Sequence, residues 1–292
     1  MRVLFIGDSL GLPRPHRINK YAPNEKELAV AYEETYSSII NMELVRKYNL
    51  NPYVEVINRC KRFYTIKNVY EEFSDHLFFF EPDVIVMQVG IVDCWFREEL
   101  KGKQLVSKDN YEIYLKNILT LLEHRPNCRL IIIGIAPTST KMEDRFNGIN
   151  QEIATYNTIL KSKINNKNVF YVDMEKYIKP DSVHEYLLPD DHHLNKYGNK
   201  LLAELIQDIL IAFIESDKGV GFFNQEQYKN ALDSFQVSLQ RYPYYLDNVY
   251  NTLVLAYQLK EQDILEKIVS YIKEFQLKDE RILEFLNMVR GR

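Results

Sequence analysis

Only three cysteines occur among the 292 residues, Cys60, Cys94 and Cys128, and none of them shows a paired spacing. An odd, small number of this kind argues against a disulfide framework and against a cysteine-built zinc site. Basic charge is not in excess either. The chain has 37 Lys and Arg against 41 Asp and Glu, a net charge of −4. That balance offers no electrostatic footprint for nucleic acid or an anionic membrane. No apolar run approaches the length that crosses a bilayer. Met1-Arg2 leads straight into the apolar residues 3–6, a stretch too short for the core of a signal peptide. The expectation is a cytoplasmic protein without a membrane span. The length suits one large domain, or one domain with a small one attached.

Five short runs rich in Val and Ile are present, at residues 3–6, 53–57, 84–89, 130–135 and 169–172. They read as parallel strands buried on both faces. Helical periodicity lies between them. Tyr36, Ile39, Ile40 and Leu44 mark one helix. Tyr111, Tyr114, Leu115, Ile118, Leu119 and Leu122 mark a second, with Ser107 as its cap, and Ile149, Ile153, Tyr156 and Leu160 mark a third. The alternation predicts a three-layer α/β fold, an open parallel sheet with helices on both sides. Right-handed crossovers then bring every strand C-terminus to one edge.

The segment 11–34, with Pro13, Arg14, Pro15, His16 and Arg17, fits neither period and reads as a long loop. A loop of that length beside chemistry is a candidate lid. After an amphipathic run at 201–214, Ser216-Asp217-Lys218-Gly219-Val220-Gly221 reads as a linker. The expected division is a sheet domain at 1–216 and a small all-α domain at 217–292. There, Tyr228, Ala231, Leu232, Phe235, Ser238 and Pro243 fall at the spacing of the second helix of a tetratricopeptide repeat. Leu253, Ala256 and Tyr257 resemble the first helix of the next.

Three pieces carry the chemistry. Gly7-Asp8-Ser9-Leu10 follows the first strand, Gly90-Ile91-Val92-Asp93-Cys94 follows the third, and Leu188 to Glu204 precedes the last helix of the sheet domain. Ser9 alone reads better as a helix N-cap than as a nucleophile. A serine nucleophile needs a base and an orienting acid. Asp190 and His193, three residues apart, can project the same way and meet that need. His192 is the competing base, or else a solvated neighbour or substrate contact. Cys94 reads as a buried structural cysteine.

These blocks resemble those of the SGNH/GDSL hydrolase superfamily, in strand order and motif placement over roughly the first 215 residues. The resemblance implies a flavodoxin-like sheet with Ser9, Asp190 and His193 as the catalytic triad. Asp190, Asp191 and the adjacent histidines suggest a metal site, but carboxylate–histidine runs before a helix are usually capping or triad groups, so no metal or other cofactor is expected. The resemblance also implies an oxyanion hole from the backbone N–H groups of Ser9 and Cys60, Cys60 standing where the family has glycine. Val92 stands where the family carries an asparagine donor, and Asn58 is a substitute donor. Asp8, Gly90, Val92, Asp93, Arg14 and His192 are the expected substrate contacts. Arg14, His16 and Arg17 read equally well as a solvated loop or as a grip on an anionic substrate, such as a nucleotide-linked or acidic sugar.

The function this implies is a serine esterase acting on a small acyl ester, an acetyl group on a carbohydrate or surface-polysaccharide precursor. The alternatives are a sugar O-acyltransferase, or a catalytically weak glycan or nucleotide-sugar binding module. The C-terminal helices would then serve a protein partner or self-association.

Overall fold

A computed structural model describes residues 1–15, 28–48 and 53–290. Its strands are β1 (Arg2–Gly7), β2 (Arg14–Pro15), β3 (Leu28–Val30), β4 (Glu55–Asn58), β5 (Val84–Gln88), β6 (Arg129–Ile133) and β7 (Val169–Val172). Its helices are α1 (Tyr36–Tyr48), α2 (Ile66–Phe78), α3 (Ile91–Cys94), α4 (Lys108–Leu122), α5 (Thr140–Arg145), α6 (Ile149–Lys161), α7 (Lys196–Asn224), α8 (Tyr228–Arg241), α9 (Leu246–Gln258), α10 (Gln262–Glu274) and α11 (Glu280–Arg290). Two compact units result, Met1–Leu205 and Ile206–Arg292. Among the described residues, no helix is long and apolar enough to cross a membrane.

In the first unit a five-stranded sheet runs in the order β4-β1-β5-β6-β7, every pairing parallel. These are the five runs read from sequence, each boundary within two residues of its expected place. Alternation along β1 explains why the run is apolar throughout. Leu4 and Ile6 join the core formed with α2, α4 and α6. Phe5 turns to the other face and meets Tyr36 of α1 at 5.6 Å between ring centroids. Helix α2, which the sequence reading did not mark, buries Ile66, Val69, Phe73 and Leu77 at helical spacing. The sheet order reverses between β1 and β5, and in such sheets the crevice beyond the strand C-termini at that reversal is where ligands bind.

Gly7 ends β1 at φ +144°, and a Cβ there would lie 1.8 Å from the Gln88 carbonyl oxygen. Only glycine lets the two strand ends run this close. Of the expected lid, His16 and Arg17 lie outside the described residues. Its described parts are not wholly irregular: β2 and β3 form an antiparallel pair, followed by a 3-10 turn at Tyr32–Glu34.

The expected linker at 216–221 is helical. It lies inside α7, and the two units divide within that helix, between Leu205 and Ile206, rather than at residue 216. Gly219 is there for packing, since a Cβ would come within 2.5 Å of the Phe235 ring. A helical glycine costs about 1 kcal/mol relative to alanine; the burial of Ile211, Phe213 and Ile214 offsets that cost. The second unit continues with α8 to α11. Ala231, Leu232, Phe235 and Ser238 of α8 and Leu253 and Ala256 of α9 are buried.

Candidate active site

Asp8 shapes the turn that presents Ser9. Its carboxyl accepts the Leu10 N–H at 2.9 Å and caps a single 3-10 turn, Ser9–Gly11. Ser9 is therefore the first residue of a helical turn at the mouth of β1. Its Oγ lies 2.9 Å from His193 Nε2, and His193 Nδ1 lies 2.9 Å from Asp190 Oδ2. The His193 backbone N–H also donates to Asp190 Oδ1, at 3.1 Å. The three-residue spacing is thus closed twice, through backbone and ring. With Asp190 an acceptor, the pattern assigns the proton to Nδ1 and leaves Nε2 to accept from the Ser9 hydroxyl.

Burial alone would push the Asp190 carboxyl up. The His193 hydrogen bond and the two neighbouring imidazoles outweigh it and hold the group well below the usual carboxylate range. The acid is therefore ionised at neutral pH. Arg14 comes within 3.8 Å of the same carboxylate. His192 is turned differently. Its Nδ1 lies 2.7 Å from the Asp190 carbonyl oxygen, and its ring lies against Trp95. Burial and the nearby His193 lower its pKa to about 4, so it is neutral at neutral pH.

The turn carrying these residues is tied to the loop after β6. Asp191, at φ +61°, accepts from the Thr138 hydroxyl through its carbonyl oxygen (2.7 Å) and from the Ser139 hydroxyl through its carboxylate (2.9 Å).

Several expected contacts are placed elsewhere. Neither Cys60 nor Asn58 has a donor to spare. The Cys60 N–H is given to Asn58 Oδ1 at 2.9 Å, and the Asn58 amide nitrogen donates to the Gly11 carbonyl (2.8 Å) and to Ser37 Oγ (2.9 Å). Asn58 instead braces the loop behind Ser9. The Ser9 N–H, at the start of its turn, lacks a partner within that turn and remains the candidate oxyanion donor. Asp8 and Asp93 are fully buried and do not line the cleft. Asp93 accepts the Ile66 N–H at 2.9 Å, capping α2 from across the site. Burial pushes Asp93 up to about 8 and Asp8 to about 7. Gly90, at φ +141°, turns the chain from β5 into α3, and a Cβ would strike Ile135. Cys94 is buried, and burial drives its thiol well above the ordinary range.

Val92, Arg14 and His192 do line the cleft beside Ser9, which holds about 330 Å³. Arg62, Phe63, Trp95, Arg97, Arg145 and Phe146 line it too, and sequence reasoning missed all six. Trp95 is the chain's one tryptophan and directly follows the third motif block, which was the available signal. A second cavity, about 350 Å³, lies among α9, α10 and α11 and is lined largely by apolar side chains such as Leu253, Leu265 and Phe285. Among the described residues no histidine lines it, so the chemistry belongs to the sheet-edge cleft.

Asp190, His192 and His193 offer ligand atoms within 4.8 Å of one another. A metal there would have to displace hydrogen bonds, because both His193 nitrogens and His192 Nδ1 are engaged.

The sequence matches the GDSL-like lipase/acylhydrolase family over residues 5–201. The chain belongs to that family. It is a serine hydrolase of the SGNH type, and its substrates are esters. Solved structures share the fold of this GDSL-like acylhydrolase. LAE5, an α/β hydrolase from the metagenome of Lake Arreo, Spain, is 18% identical with a TM-score of 0.53, covering 70% of this chain and 91% of its own. A variant of Axe2, an acetyl-xylooligosaccharide esterase from Geobacillus stearothermophilus, is 20% identical with a TM-score of 0.52, covering 70% and 93%. A lipase/acylhydrolase from Enterococcus faecalis is 17% identical with a TM-score of 0.53, covering 71% and 94%. The comparison with curated proteins finds no match.

Proposed function

We propose that this GDSL-like acylhydrolase is a serine esterase that removes a small acyl group, acetyl first among them, from a carbohydrate, with Ser9, His193 and Asp190 as its triad. The observation that carries the reading is the unbroken hydrogen-bonded line from Ser9 Oγ through His193 to Asp190, opening on an aromatic-walled cleft. Ser9 Oγ attacks the ester carbonyl carbon and passes its proton to His193 Nε2. Asp190, ionised and hydrogen-bonded to Nδ1, stabilises the imidazolium. The Ser9 N–H faces the developing oxyanion. Collapse breaks the carbon–oxygen bond to the alcohol, which takes the proton from His193. Water then repeats the sequence on the acyl-serine and releases the acid.

A sugar hydroxyl in place of water would make the same site an O-acyltransferase. Val92 offers no side-chain donor, and lacking one oxyanion donor costs about 10²–10³ in rate, so turnover is expected to be modest. That same residue favours the second reading, a binding module with residual chemistry. The C-terminal helices are the proposed surface for a partner protein or a second copy.

The test is acetate release from p-nitrophenyl acetate and from acetylated xylo-oligosaccharides. Turnover of both is expected, and its loss in Ser9→Ala. Turnover that survives in Ser9→Ala contradicts the assignment. Acetyl diverted to an added sugar marks the transferase.

A further inference from the structure

Arginine rings the cleft, in a chain whose net charge is −4. Arg14, Arg62, Arg97 and Arg145 all line it. Among the described residues lining it, the one carboxylate, Asp190, is hydrogen-bonded to His193. The four come from four separate segments: β2, the loop after β4, the loop after α3, and the end of α5. No local charge run explains their meeting; the fold assembles it.

Their settings hold them in place. Arg97 donates to the Val92 carbonyl at 3.2 Å. The Arg62 and Arg145 guanidinium groups sit over the rings of Phe63 and Phe146, at 5.7 and 4.9 Å from the centroids. Arg145 also lies 3.8 Å from Glu98, but both side chains are well exposed, and an ion pair of that kind is weak. Phe63 is a second, independent observation. It takes φ +60°, a left-handed conformation that a bulky aromatic rarely adopts, and it is 65% exposed. Burial therefore does not repay the backbone strain. Strain of this kind collects where a ligand is gripped. Phe63, Trp95 and Phe146 give the cleft an aromatic wall, with Trp95 and Phe146 edge to face at 5.5 Å.

We infer that the alcohol half of the substrate is an anionic sugar, one carrying a phosphate or carboxylate, held by Arg62, Arg97 and Arg145 beside the aromatic wall. The inference rests on the esterase reading for the acyl group but not for the binding itself. Planar guanidinium donors match both oxyanions in paired hydrogen bonds. A cleft in which cations outnumber carboxylates also concentrates ligands of negative charge. A neutral sugar offers the same donors hydroxyl oxygens, without the negative charge and the paired oxygens of a phosphate or carboxylate.

The single tryptophan reports occupancy directly, because Trp95 lines the cleft. The full chain is titrated with glucose 6-phosphate, glucuronate and glucose while its emission is followed. At least one anionic sugar is expected to bind about tenfold or more tighter than glucose, as one set of charge-assisted hydrogen bonds allows. Added salt should erode that preference. The double variant Arg62→Gln, Arg145→Gln should reduce it by about tenfold. Both residues are exposed, so the fold survives, which circular dichroism checks.

Glucose binding as tightly as the anionic sugars overturns the inference, as does silence toward both anionic sugars at high millimolar concentration. Hydrolysis of p-nitrophenyl acetate by the same sample keeps the two readings apart. Turnover without anion preference removes this inference and leaves the esterase. Anion preference without turnover removes the esterase and leaves an anionic-sugar site.

Discussion

Replacing His193 with alanine is expected to lower kcat/KM for p-nitrophenyl acetate by about 10²–10⁴-fold or more, the usual contribution of a positioned general base. Ser9 Oγ has its hydrogen bond to His193 Nε2. His192 is a poor replacement. Its Nδ1 is directed at the Asp190 carbonyl oxygen, and its pKa, lowered to about 4 by burial, makes it a weak base. His192→Ala should therefore cost no more than about tenfold, as for a residue that shapes the cleft wall without moving the proton. Steady-state kinetics on the two folded variants decides the matter. The reverse ranking would make His192 the base.

Asp190→Asn is expected to lower kcat by about 10⁴-fold with the fold retained. Asparagine keeps the size of the side chain and can still accept the His193 N–H that Asp190 Oδ1 accepts at 3.1 Å. It loses the negative charge that stabilises an imidazolium. An amide nitrogen turned toward the ring would also force the proton onto Nε2, where it faces Ser9 and blocks proton transfer. Asp190 is only 8% exposed, so water does little to screen the change. The signature is a fall in kcat with an unchanged circular dichroism spectrum. A variant that retains near-normal kcat would mean that Asp190 holds the turn without supporting the chemistry.

The five strands were legible because parallel strands covered on both faces become uninterrupted Val and Ile runs. The meeting of Ser9, Asp190 and His193 was legible because two of the three are three residues apart and the third ends the first strand. The expected donors Cys60 and Asn58 were misplaced for a physical reason. Their polar groups satisfy each other and the Gly11 loop, a pairing that depends on where the chain folds back. Asp93 was read as a substrate contact but caps α2, a helix whose start lies 27 residues earlier. Gly219 looked like a linker because glycine interrupts helical propensity; only the Phe235 ring against it reveals a packing position. The arginines were invisible for the same kind of reason. Each one, in its own segment, is indistinguishable from a solvated surface charge.

If Ser9 is the activated nucleophile, a fluorophosphonate probe reacts with it. The serine oxygen would bond to phosphorus as fluoride leaves. Mass spectrometry of the digested protein should then find the phosphonyl mass on the peptide containing Ser9, and on no peptide of Ser9→Ala. An unlabelled Ser9 in the folded wild-type chain, or labelling that persists after Ser9→Ala, would contradict that assignment.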